Sequence, residues 1–195
     1  MKHKGFPAAF CILLASVCLQ ASERAVLLPG SAIWLEGDST LHRFSSTSTA
    51  LTAEMEGTFP DVKTFVVRVP VLSLKSGKGQ LDKNLYKALH SEKYPDIVFH
   101  MKSYDIKSST NGTVILAQGD LEIAGASRPA ALQAQTKPDE LGTRVSGAYG
   151  LLMTDFGVSP PVMMLGALKT KNEVTVRYIL YLDFNIHHNT RKTNE

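Results

Sequence analysis

From residue 173 to residue 184 the chain alternates in character at every second position. Val174, Val176, Tyr178, Leu180 and Leu182 share one face, and Thr175, Arg177, Ile179, Tyr181 and Asp183 share the other. A period of two is the geometry of a strand, whose successive side chains point to opposite sides. One face is therefore buried and the other mostly wet. The same period recurs through most of the chain. Over 63–74 it sets Phe65, Val67, Val69 and Val71 against Val66, Arg68, Pro70 and Leu72. Ile97, Phe99 and Met101 alternate with Val98, His100 and Lys102, and Ile115, Ala117, Leu121 and Ile123 with Leu116, Gln118, Asp120 and Glu122. Val145, Gly147, Tyr149, Leu151 and Met153 form another such face, and weaker strands run through 31–36, 49–56 and 129–136. Short breaks rich in Gly, Pro, Ser or Asn separate most of these eight strands.

One connection differs. Residues 82–90 read as a short helix, with Asp82 as N-cap and Leu85, Tyr86 and Leu89 on one face. Lys87 and His90 fall in its last turn, and Pro95 returns the chain to extended structure. An all-β fold with one helical excursion follows: eight antiparallel strands in a barrel or a sandwich. Barrel closure has the advantage of removing exposed sheet edges.

Residues 1–21 read as a secretory signal: Lys2 and Lys4 precede an apolar run over 8–19, and small residues follow at Ala21 and Ser22. The run is shorter than the roughly 20 residues needed to span a bilayer as a helix. Removal of this segment predicts an exported protein, periplasmic or extracellular, with no membrane span in the mature chain. Both cysteines, Cys11 and Cys18, would leave with it, so the mature chain would have no disulfide. The domain then covers 22–184, followed by a polar tail over 185–195. The whole chain is 44% hydrophobic and 20% charged, which excludes disorder. Its net charge of +3 falls close to neutral once Lys2 and Lys4 are gone, which argues against a nucleic-acid partner.

Catalytic signatures are sparse. His42, His90 and His100 show no helical pairing and no carboxylates at ligand spacing, so no metal is expected. Asp155-Phe156-Gly157 matches a kinase triplet but lacks every other kinase element, and Ser76-Gly77-Lys78-Gly79 is too short for a phosphate loop. Asn111-Gly112 reads as a hairpin turn, although Asn111-Gly112-Thr113 is formally a glycosylation sequon. Asp38, Ser39 and His42 form a polar cluster that a small hydrolase or metal enzyme would use, if the three converge in a cleft.

Strand parity names the interior. Phe65, Val67 and Val69 would face inward with Ile97, Phe99 and Met101, then Leu121 and Ile123, Tyr149 and Leu151, and Tyr178 and Leu180. A slip of one residue would instead bury Arg68, Lys102, Glu122 and Arg177, which the desolvation of charge forbids. These twelve residues either line a cavity or fill a solid core, and periodicity alone favours the filled core.

Four segments bear on that choice. They are Ser39-Thr40-Leu41-His42; 81–89 leading into Tyr94-Pro95-Asp96-Ile97-Val98-Phe99; Gly119 to Gly125 with Ser127-Arg128-Pro129; and Thr154-Asp155-Phe156-Gly157-Val158. In order and spacing they resemble the YceI-like family of exported polyisoprenoid-binding proteins. The resemblance implies a lipocalin-like barrel and a noncatalytic role: binding, storage or carriage of a long polyisoprenoid lipid or isoprenoid quinone, with no other cofactor. The twelve inward residues would then be the ligand-binding wall, with a polar head near the hydroxyl of Tyr149 or Tyr178. Residues 160–165 depart from the family pattern as an apolar lip rich in Pro and Met. A solid barrel serving as a structural or protein-interaction module is the alternative, and a homodimer stays open.

Overall fold

The structure, a computed structural model, describes residues 26–58, 61–109, 112–140, 142–163 and 168–183. The signal segment and the polar tail lie outside these residues. Within them the chain runs β1 (Val26–Leu27), β2 (Ala32–Ser39), β3 (Arg43–Ser48), β4 (Thr52–Thr58), β5 (Asp61–Pro70), α1 (Gly79–Ala88), β6 (Asp96–Ser109), β7 (Gly112–Ile123), β8 (Ala126–Asp139), β9 (Gly142–Leu152), β10 (Val162–Met163) and β11 (Leu168–Asp183). Nine strands form one antiparallel path in the order β3-β2-β11-β9-β8-β7-β6-β5-β4, while β1 and β10 pair with the two ends of β11. The all-β barrel architecture expected from the sequence is what the chain adopts. The expected count of eight strands is corrected to nine, plus two short ones.

The additional strand is β3. Its sequence, Arg-Phe-Ser-Ser-Thr-Ser, carries one apolar side chain and so hides from a search for apolar alternation. Alternation is nonetheless present in burial, because Ser46 and Ser48 are 2% and 1% exposed. Small hydroxyls fit where the sheet curls back toward its own far edge. The Ser48 and Ser73 hydroxyls hydrogen-bond at 2.6 Å, and Thr47 bridges to Lys75. These contacts tie edge strand β3 to the segment that follows β5, and β1 packs against the other edge strand, β4.

The barrel has two unlike ends. At one, which we call the hairpin end, lie the β4/β5, β6/β7 and β8/β9 connections. Ser109 pairs with Gly112, so the chain reverses at the expected hairpin, although Asn111 lies outside the described residues. At the other, the helix end, lie α1, the β2/β3 hairpin, the β7/β8 turn and a 3-10 turn over Met153–Phe156.

Helix α1 starts three residues before the expected boundary. Lys78 is its N-cap residue, without a side-chain cap, and Asp82 lies in the first turn. The Asp82 carboxylate reaches back instead to accept from the Ser76 amide (2.8 Å) and hydroxyl (2.5 Å), bracing the approach to the helix. His90 also leaves its expected place in the last turn. It adopts φ 50 beyond the C-cap, where His90 N–H donates to Lys87 O (3.2 Å) and Ser91 N–H to Tyr86 O (3.0 Å). That is a Schellman ending with histidine in the position glycine usually takes.

Strands β8 and β9 part company midway. They pair from Asp139–Gly142 to Ala134–Gly147, after which β8 continues with β7 alone and β9 with β11 alone. The 3-10 turn fills this wedge with Phe156 and, just after it, Val158, each 4% exposed, against Ala130, Leu132, Tyr149 and Leu151. Asn172 staples the turn to β11, accepting from the Thr154 amide (3.0 Å) and donating to the Thr154 hydroxyl (2.8 Å). Phe156 of the Asp-Phe-Gly triplet is thus a structural plug, while Asp155 and Gly157 are exposed.

Candidate functional site: an apolar cavity through the barrel

The interior is hollow. A cavity of about 500 Å³ runs within the curled sheet, in the range typical of small-molecule sites. All twelve side chains placed inside by parity border it: Phe65, Val67 and Val69 of β5; Ile97, Phe99 and Met101 of β6; Leu121 and Ile123 of β7; Tyr149 and Leu151 of β9; Tyr178 and Leu180 of β11. Arg68, Lys102, Glu122 and Arg177 do not border it. Lys102 pairs with Asp120 at 2.5 Å and Arg177 with Glu36 at 2.8 Å. The preference for a filled core that periodicity suggests is overturned.

Sequence reasoning missed part of the wall. Ile33 and Leu35 of β2, with Phe44 and Ser46 of β3, close the side where the extra strand went unseen. Leu81 and Leu85 of α1, with Leu89 at its C-cap, cover the helix end. Tyr104 also lines the cavity, although it has the opposite parity to Met101. A bulge between Met101 and Ser103 adds one residue to β6, so the inward face passes from odd to even numbers. Gly119 on β7 stands opposite, and a side chain there would collide with the His100 carbonyl; that glycine was the available signal.

Two tyrosines behave differently from each other. The Tyr178 hydroxyl donates to the Gln133 carbonyl (3.0 Å), and burial pushes its pKa from 10.0 up to about 12. It is spoken for by the wall, so the expectation that it greets a polar head is revised. Tyr149 lies on β9 beyond the fork, in the helix-end half of the cavity, opposite Val176 of β11. Ser46 is the buried hydroxyl residue on the same wall.

The Asp38, Ser39 and His42 cluster sits outside the cavity. Ser39 Oγ donates to His42 O (2.8 Å) and accepts from His42 N–H (3.2 Å), closing the β2/β3 turn. The Asp38 carboxylate is shared by Arg43 (3.3 Å) and Lys171 (3.9 Å). Among the described residues no hydrogen bond links the three side chains into a relay, and no His, Cys, Asp and Glu group is arranged for a metal.

Three of the four sequence segments meet in one apolar cluster that holds Leu89, Phe99, Leu121, Ile123 and Phe156, while 39–42 forms the separate β2/β3 turn. Tyr94, ahead of the Tyr-Pro-x-Ile strand, lays its ring on Gly125 of the β7/β8 turn, where any side chain would collide with it. Ala124 (φ 51) and Gly125 (φ 79) make that turn. The YceI-like domain model matches residues 32–181, from the first long strand to near the end of the last. The chain belongs to the YceI-like family. Among solved structures, a polyisoprenoid-binding domain from Saccharophagus degradans is similar to it with a TM-score of 0.66 at 10% identity, covering 83% of this chain and 99% of that one. BcnA of Burkholderia cenocepacia gives 0.63 at 12% identity, covering 77% and 94%. A YceI protein of Campylobacter jejuni gives 0.54 at 16% identity, covering 91% and 99%. Identities this low establish the fold alone. No curated protein matches the sequence.

Proposed function

We propose that this YceI-like chain binds and carries a long-chain polyisoprenoid lipid or isoprenoid quinone, noncatalytically, within the barrel. The observation that carries the proposal is the apolar cavity of about 500 Å³ behind the charged outer wall. Burial of a hydrocarbon chain contributes on the order of 0.8 kcal/mol per CH₂, so a few five-carbon units outweigh the cost of association. The relative from Saccharophagus degradans, described as a polyisoprenoid-binding domain, supports the same ligand class. A chain that carries an insoluble lipid through an aqueous compartment suits export to the periplasm, as the signal-like segment over 1–21 suggests. Mass spectrometry of organic extracts from natively purified protein tests the reading: an isoprenoid released in near-stoichiometric amount supports it. Extracts free of lipid, from a protein that also refuses added polyprenol, would remove it.

A further inference from the structure

Among the described residues five large apolar side chains are exposed, and four of them lie at the helix end. Leu41 at the β2/β3 turn is 70% exposed, Val162 of β10 59%, Leu72 57% and Leu152 39%; the fifth, Ile106, lies toward the hairpin end of β6. Leu41 and Val162 occupy one corner. Thr40 N–H donates to Lys169 O (3.0 Å), and Val162 pairs with Lys169 across β10 and β11. The cavity reaches this corner through Phe44, Pro161 and Thr170.

Charge follows the same axis. Segments 38–43, 75–96, 122–128, 153–163 and 168–173, all at the helix end, carry nine Lys and Arg against seven Asp and Glu. Two of those seven carboxylates are already engaged, Asp38 by Arg43 and Lys171 and Asp82 by Ser76. Segments 54–58, 61–63, 105–107, 137–140 and 142–144 at the hairpin end carry four Lys and Arg against six Asp and Glu. A near-neutral chain is therefore polarised, cationic where its apolar side chains protrude and where the cavity comes closest to them.

We propose that the helix end is a docking face for a bilayer containing anionic phospholipid. Leu41 and Val162 enter the interfacial layer, while Lys169 and the α1 lysines Lys83 and Lys87 lie over the headgroups. Protruding apolar side chains ringed by cations are the combination that holds a protein on such a surface. Docking at this corner, which the cavity reaches through Phe44, Pro161 and Thr170, would shorten the passage of a hydrocarbon chain between bilayer and barrel.

Co-sedimentation of the folded protein with vesicles tests this. The vesicles are phosphatidylcholine alone or phosphatidylcholine with phosphatidylglycerol. Binding is expected only with phosphatidylglycerol, weakening as salt rises. L41S/V162S should lower partitioning about tenfold or more, and K83E/K87E about twentyfold or more. I106S at the opposite end should leave it unchanged. Equal binding to both vesicles, binding to neither, or I106S as damaging as L41S/V162S would overturn the proposal. A wild-type dimer that L41S/V162S dissociates, without vesicle binding, would assign the face to a second copy of the chain instead. Lipid uptake from detergent solution should be unaltered in both double variants, so failure of docking is distinguishable from failure of the carrier reading.

Discussion

The Tyr178 hydroxyl of β11 reaches across β9 to donate to the Gln133 carbonyl of β8, 3.0 Å away. It crosses at Gly147, the residue paired with Tyr178, where a side chain would strike both the hydroxyl and that carbonyl. Ala134–Gly147 is the last pair of the β8/β9 ladder, so Gln133 is the first residue past it. Beyond the ladder that carbonyl has no partner on β9, and the residue that bears it is exposed. Tyr178 supplies the missing partner and covers the glycine with its ring, sealing the wall at the point where two strands diverge.

Replacing Tyr178 with Phe therefore lowers stability by about 0.5–1.5 kcal/mol, because a hydrogen bond is lost at a carbonyl that water can reach while the ring remains. Burial raises the Tyr178 pKa from 10.0 to about 12. The neutral phenol is the form the fold favours, so its contribution is whole below pH 10 and declines as pH rises from 10 to 12. Titration of tyrosinate absorbance should show one tyrosine ionising about two units late, and Tyr178→Phe should remove it. A wild-type chain in which all tyrosines ionise near pH 10 would refute this assignment.

The wedge beyond the fork is closed by packing rather than by a ladder. Phe156→Ala empties a site that is 4% exposed and should cost roughly 3–5 kcal/mol, read by denaturant unfolding. Hydrogen exchange should accelerate most at Ala148–Leu152 and in the unpaired edge of β8. Uniform acceleration across the barrel would mean that Phe156 is not a local plug.

Most of this architecture is legible from alternation, because a wall that is wet outside and apolar inside writes its parity into β5, β7, β9 and β11. Where the wall departs from that rule, the signal fades. Ser46 and Ser48 are inward residues without hydrocarbon bulk, so β3 looks like a polar linker. The bulge at Met101–Ser103 inverts the parity that places Tyr104 inside. The left-handed conformations at His90 and Ala124 fall on residues that do not advertise them. A cavity is also invisible to periodicity, since a filled and a hollow interior need the same alternating pattern; the choice depends on how far the sheet curls.

Asp82 anchors the approach to α1. Hydrogen bonds from the Ser76 side chain and backbone hold its carboxyl below the ordinary value of 3.8. A depressed value favours the charged form in the fold, so this contribution is present above pH 3.8 and is lost as pH falls through the lower folded value. Asp82→Asn should lower Tm by a few degrees at neutral pH and flatten the acid limb of the stability profile. An unchanged acid limb would show that the brace contributes nothing.

Uptake of a polyprenol by the purified chain, followed by co-elution on size exclusion, tests the central claim most directly. The wild type should retain about one lipid per chain. Phe99→Asp, whose side chain enters the cavity wall, should retain none while keeping its β-rich circular dichroism. Arg68→Gln and Lys102→Gln, on the outer face, should bind as the wild type does. Loss of binding in the two outer variants with retention in Phe99→Asp would contradict the assignment of faces, and a wild-type barrel that takes up no lipid would contradict the account itself.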